Sequence, residues 1–165
     1  MTELTIRFRD GFYFGLGLAV VAGIFLVWLW RPERQVSRHT DNLLRSLETR
    51  NWAGVSSLID PSYHDQWDED RAVVLARLHE IFRMVPNAQI RPIDPVVIVD
   101  HAAGRWRGRI RIDGDAGEVI AMLKERINPL TTPFELEWRH LSAKPWDWKL
   151  VRVTNPELEI PEGFE

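Results

Sequence analysis

At 165 residues the chain is long enough for one domain and an attachment. Its 45% hydrophobic and 27% charged residues allow a packed core and exclude wholesale disorder, and a net charge of −3 argues against a nucleic-acid binder. The absence of cysteine excludes disulfides, thiol catalysis and cysteine-ligated zinc.

After a short tail (1–10), residues 11–30 read GFYFGLGLAVVAGIFLVWLW, with no charged residue and no Asn, Gln, Ser or Thr. A helix of that length spans about 30 Å, the thickness of a bilayer's hydrocarbon core. Phe12, Tyr13 and Phe14 mark one end and Trp28 and Trp30 the other, in the manner of interfacial aromatic belts. The run ends in Trp-Leu-Trp-Arg-Pro, which lacks the small residues of a signal-peptide cut. The stretch therefore predicts a retained single-pass anchor and a membrane location. Arg31, Arg34, Arg38 and Arg45 outnumber Arg7 and Arg9, which favours a cytoplasmic domain, yet long domains are exported largely regardless of charge. Both orientations stay open.

Residues 31–35 read as a linker. Val36, Thr40, Leu43, Leu44 and Leu47 recur at steps of three and four, predicting a helix. Trp52, Val55, Leu58 and Ile59 predict a short second helix, stopped at Asp60-Pro61. A third starts near Asp68, with Val74, Leu78, Ile81, Phe82 and Val85 as its apolar stripe, and ends at Pro86-Asn87. The period then falls to two. Residues 89–100 are rich in Ile and Val but carry Pro92 and Pro95, which marks an edge strand or a bulge. His101 to Gly104 turns the chain. In 105–112, Trp106, Gly108, Ile110 and Ile112 alternate with Arg105, Arg107, Arg109 and Arg111. Asp113-Gly114-Asp115 signals a turn, and 118–127 reads as a helix with Val119, Met122 and Leu123 inward. In 133–141, Phe134, Leu136, Trp138 and His140 share a face opposite Glu135, Glu137 and Arg139; Trp146 to Thr154 is the last strand. Three helices followed by strands predict an α+β domain with an antiparallel sheet covered on one face.

At this point LLRSLETRNWAGVSSLIDPSYHDQW (43–67), RAVVLARLHEIFRMVP (71–86) and WDWKLVRVTNPELE (146–159) bring a family into view. Over 36–155 the chain resembles the NTF2-like superfamily, which includes SnoaL-like proteins and ketosteroid isomerase. The resemblance implies a cone of three helices packed on a curved antiparallel sheet, followed by a tail at 156–165. The superfamily spans isomerases, hydrolases, carriers, transport factors and secretion scaffolds, so fold does not select a function. The isomerase places a tyrosine in its first helix; this chain has none there, and that constellation does not carry over.

Tyr63, His64 and Asp65 form the most chemically loaded cluster, a proton donor and acceptors of the kind acid–base chemistry needs. The Asp68-Glu69-Asp70 run, however, reads chiefly as a cap and first turn of the third helix, where acids favour the dipole. No EF-hand or His-Glu-x-x-His spacing is present, and neither metal nor cofactor is predicted. His140 reads as a histidine hydrogen-bonded at a sheet end, or as a group near the cone mouth. His39 and His79 are predicted to contact solvent. The arginine row is expected to pair across strands with Glu135 and Glu137. The candidate pocket comprises Tyr63, Trp67, Trp106, Trp138 and His140. The expected object is a non-catalytic, membrane-anchored binding or assembly module, partnered by a second copy or a membrane protein. The alternative is a binding protein or SnoaL-type enzyme taking a small apolar ligand in the cone.

Overall fold

The computed structural model describes residues 8–85, 87–115 and 117–158, leaving aside the side chains of 8–14 and 27–29. Helix α1 (Phe8–Leu29) is followed by α2 (Pro32–Glu48), α3 (Trp52–Leu58) and α4 (Arg71–Met84). Strands β1 (Gln89–Asp100) and β2 (Ala103–Asp113) lead to α5 (Glu118–Ile127), and β3 (Phe134–His140) and β4 (Trp148–Thr154) close the domain. The sheet is antiparallel in the order β1-β2-β3-β4.

In α1, Leu16, Leu18, Val20, Val21 and Ile24 are each more than half exposed. Among the described residues no helix is long and apolar enough to cross a membrane. Phe12, Tyr13, Phe14 and Trp28, predicted to mark the two interfaces, have side chains outside the described set, as do the tail residues 159–165 and Pro86. The predicted linker is instead the start of α2. Pro32 occupies the first turn, where proline's fixed φ suits a helix and its missing N–H costs nothing.

Helix α2 buries Val36, Thr40, Leu43, Leu44 and Leu47, the predicted stripe. The Thr40 hydroxyl donates to the Val36 carbonyl at 3.1 Å and so brings no unmet polar group into the core. Asn51 caps α3 by accepting from Gly54 N at 3.0 Å. The cap of α4 is Asp70, whose side chain accepts from Val73 N at 2.9 Å. That corrects the predicted start: Asp68 lies in the left-handed region (φ 67°), and no acid falls in the first turn. Arg71 then ties α4 to α3, donating to the Ile59 carbonyl at 3.2 Å and the Ser56 carbonyl at 2.9 Å.

The β2 alternation holds as read. Trp106 stands opposite Val97 on β1 and Leu136 on β3, and Gly104 opposite Trp138. A Cβ on Gly104 would collide with Val36 Cγ2 and lie 3.0 Å from the Trp148 ring, so this glycine lets α2 and Trp148 close on β2. The indole of Trp106 lies across Gly108. The register of β1 shifts between Ile93 and Val96, where the two prolines announced an irregularity. The last strand begins at Trp148 rather than Trp146, because the β3–β4 loop runs on through Asp147. Outside the four strands, Ile59 pairs with Leu150, and Asp60 N and His64 N donate to the carbonyls of Leu150 and Val151.

Trp106, Trp138, Trp148, Val36, Val55 and Leu150 fill the space between helices and sheet. Burying one indole removes roughly 150–250 Å² from water, about 4–6 kcal/mol of gross driving force at ~25 cal/mol per Å². In α5 the buried residue is Ile120; Val119, Met122 and Leu123, predicted inward, are only partly covered.

Candidate functional site

Four groups of residues were open to a functional reading. In the first, residues 62–70, Tyr63 is 3% exposed and its hydroxyl donates to Asp65 Oδ2 at 3.3 Å. Asp65 Oδ1 accepts from Trp67 N at 2.9 Å and Glu69 N at 3.0 Å. Burial, and then the Asp65 carboxylate, push the Tyr63 phenol well above its ordinary value, so it stays a neutral donor. Burial also raises Glu69, against the opposing pull of Arg77, its ion-pair partner. Trp67 Nε1 donates to the Leu158 carbonyl at 3.0 Å, and Gln66 Nε2 to the Asn155 carbonyl at 2.6 Å. The stretch thus clasps the carboxy-terminal turn and sets up α4. His64 pairs on the surface with Asp68 at 2.8 Å.

The second group surrounds the buried tryptophans. Trp106 and Trp138 are each 1% exposed. Helix α2 sets His39 edge-on to Trp138, with ring centroids 5.8 Å apart, and its Nε2 meets the Trp146 carbonyl at 2.8 Å. Burial lowers the His39 pKa, more than the bond to Trp146 raises it. This corrects the solvent-facing reading of His39; His79 is exposed, beside Trp52. His140 stacks on Trp148 at 4.8 Å and meets the Lys144 carbonyl at 2.8 Å, a histidine bonded at a sheet end.

The third group is a cavity of about 280 Å³ between α4 and α5. Ile81, Met84, Val119, Met122, Leu123 and Ile127 line it, with Arg77, Glu80 and Arg126 as its charged members. The fourth is the outer sheet face. Val96 and Ile98 are 55% exposed there, beside a concavity of about 390 Å³ lined by Ile98, Asp100, Arg105, Glu137, Arg139 and Val151. The arginine row is paired as expected in part: Arg105 and Arg107 reach Glu135 at 3.3 and 3.0 Å, and Arg109 reaches Asp94 at 3.0 Å.

Of the five predicted pocket residues, only Trp138 borders either cavity, and Tyr63 and His140 converge on neither. The α4–α5 cavity escaped sequence reading because segments forty residues apart build it. Val96 and Ile98 did carry a signal: 96–99 is apolar at every position, so both faces of β1 are apolar there.

This arrangement of helices clasping one face of a four-stranded meander recurs in solved structures. A structure of Bdellovibrio bacteriovorus Bd1075 is similar at a TM-score of 0.56 and 8% identity, over 72% of this chain and 38% of that one. A candidate dehydratase of the NTF2-like family from Streptomyces avermitilis is similar at 0.52 and 18% identity, over 73% of this chain and 91% of its own. The fold is NTF2-like. A CaMKII hub from S. rosetta shares it at 0.53 and 16% identity, over 74% of this chain and 94% of the hub. At these identities the likeness is one of fold alone. No family model matches any part of the chain, and no curated protein matches in sequence.

Proposed function

We propose that this chain is a non-catalytic assembly module: an NTF2-like domain held at a membrane by its amino-terminal helix and paired with a second copy through the outer sheet face. The observation that carries this reading is the contrast across the sheet. Large side chains fill the inner side, while Val96 and Ile98 stand half-exposed on the outer side among ion pairs, the mix of apolar centre and polar rim that protein interfaces use. One structure of the same fold is of a domain named a hub. Membrane attachment is supported by the uncharged run of residues 11–30 and by Leu16, Leu18, Val20, Val21 and Ile24 of α1, which no part of the domain covers. The natural absence of cysteine supplies the test. In the full chain in lipid nanodiscs, Ile98→Cys is expected to cross-link into a dimer on oxidation, whereas Arg83→Cys on α4 is not. Equal cross-linking at both positions would sink the proposal.

The α4–α5 cavity favours a second reading, a site for a small apolar ligand. Its size approaches the lower end of ligand pockets, near 300 Å³, and its lining is chiefly apolar. A fluorescent fatty acid is expected to bind the wild type and not Met122→Trp, in which an indole fills the space. Equal binding by both chains would remove this reading.

A further inference from the structure

The loop between β3 and β4, residues 141–147, carries two of the large exposed apolar side chains of the domain: Leu141 is 46% and Trp146 55% exposed. Lys144 is exposed between them, and Asp147 is the loop's one acid. The loop is held at two points by rings. His39 Nε2 meets the Trp146 carbonyl at 2.8 Å, and His140 Nε2 meets the Lys144 carbonyl at 2.8 Å. Leu141 N donates to the Asp147 carbonyl at 2.9 Å, closing the base of the loop. The Trp146 backbone is therefore fixed while its indole is left outside, in contrast to the buried indoles of Trp138 and Trp148 on either side of it in sequence.

The position of the loop gives that exposure a direction. His39 lies seven residues into α2 from Pro32, about two helical turns or 10 Å from the α1–α2 junction. Long helical side chains lean toward the helix amino terminus, so the His39 ring carries the loop closer still to that junction. The junction itself shows Trp30, 44% exposed, and the exposed Arg31, with Arg38 exposed about two turns farther on. Two tryptophans, a leucine and basic side chains thus gather at the end of the domain where α1 departs. Tryptophan favours the membrane–water interface, and Lys and Arg reach from it to lipid headgroups.

We infer that the β3–β4 loop is a second membrane contact, with Trp146 and Leu141 seated in the headgroup region and Lys144 and Arg31 against lipid phosphates. This rests on the membrane attachment proposed above. It adds that the domain is held in one orientation, with the junction end down and the outer sheet face turned sideways to neighbours.

The test uses single-cysteine variants of the full chain, labelled with an environment-sensitive dye and reconstituted in vesicles of phosphatidylcholine with a minor fraction of phosphatidylglycerol. Ala143→Cys reports on the loop while keeping Leu141 and Trp146; Arg83→Cys reports on α4; Val20→Cys reports on α1. The Ala143 label is expected to be several-fold better shielded from aqueous iodide than the Arg83 label and to be quenched by nitroxide-bearing lipid. Adding Leu141→Ser and Trp146→Ser should return it to the Arg83 level. A loop label that behaves like the Arg83 label overturns the inference, and so does shielding from iodide without quenching by lipid, which means a protein contact. If the Val20 label escapes lipid quenching as well, membrane attachment itself fails; if only the loop label does, attachment stands and the second contact falls.

Discussion

On the inner face of the sheet Trp106 and Trp138 are 1% exposed, while on the outer face of neighbouring β1 Val96 and Ile98 are 55% exposed. Both faces carry large apolar groups, but different forces hold them, for the outer pair stands among charged side chains. Inside, shape decides: Gly104 has no side chain because Val36 and Trp148 occupy the place of one. Outside, charge decides: Glu135 is shared by Arg105 and Arg107, and Arg109 takes Asp94. Inner substitutions should therefore act on folding and outer ones on association.

Trp138→Ala should have the largest effect, about 3–5 kcal/mol of stability lost to the cavity it leaves. Denaturant unfolding would measure it, and a cost near zero would mean the interior is not tightly packed. Gly104→Ala should cost about 1–3 kcal/mol by overpacking against Val36 and Trp148. Tyr63→Phe should cost about 1 kcal/mol, the price of one hydrogen bond, because Asp65 keeps its bonds from Trp67 N and Glu69 N. Ile98→Asp should change stability by under about 0.5 kcal/mol, as surface substitutions do, and still dissociate the proposed pair in sedimentation. A large loss of stability there would blur the two faces.

The smallest effect is one of pH. Bonds from Thr132 N–H and then the Thr131 hydroxyl hold the exposed Glu157 carboxyl down to about 2, from an ordinary 4.5. A depressed carboxylate adds stability that is complete above the unfolded value and is lost as pH falls through the folded one. Glu157→Gln should therefore weaken the fold at neutral pH, and the gap to wild type should close between about 4.5 and about 2. A gap that stays constant over that window would assign Glu157 another role. His39 acts in the same direction in a higher window, for a different reason: burial favours its neutral form, so stability should fall as pH drops below 6.5, and His39→Gln should flatten that fall.

Much of the fold was legible. In 105–112 an arginine at every second position left only one way to face the core, and the two prolines of β1 placed its irregularity. The start of α4 was harder, because Asp68, Glu69 and Asp70 are all able to cap. What separates them is backbone turning at Asp68 and the burial of Glu69 against Arg77, both set by tertiary contacts. The face of α5 was legible in part, with Ile120 missed for a related reason. Val119, Met122 and Leu123 look onto α4 across a cavity, with Val119 and Leu123 also packed against the core, while Ile120 is the α5 residue that is fully buried. Tyr63 and His140 looked chemical by residue type, but residue type does not reveal that one hydroxyl is tied to Asp65 and one imidazole to the Lys144 carbonyl. Their distance from both cavities belongs to the assembled fold.

The interruption in β1 has a further consequence. The segment 59–64 covers the far side of β4 through its bonds to Leu150 and Val151, so β1 is the sheet's open margin. Proline has no N–H to offer, and Pro92 and Pro95 flank a residue, Asp94, turned to φ 50°. A strand from another molecule laid along that margin would find donors missing and its register thrown off after a few residues. The same interruption that bends β1 thus guards this margin against endless strand-to-strand growth between molecules.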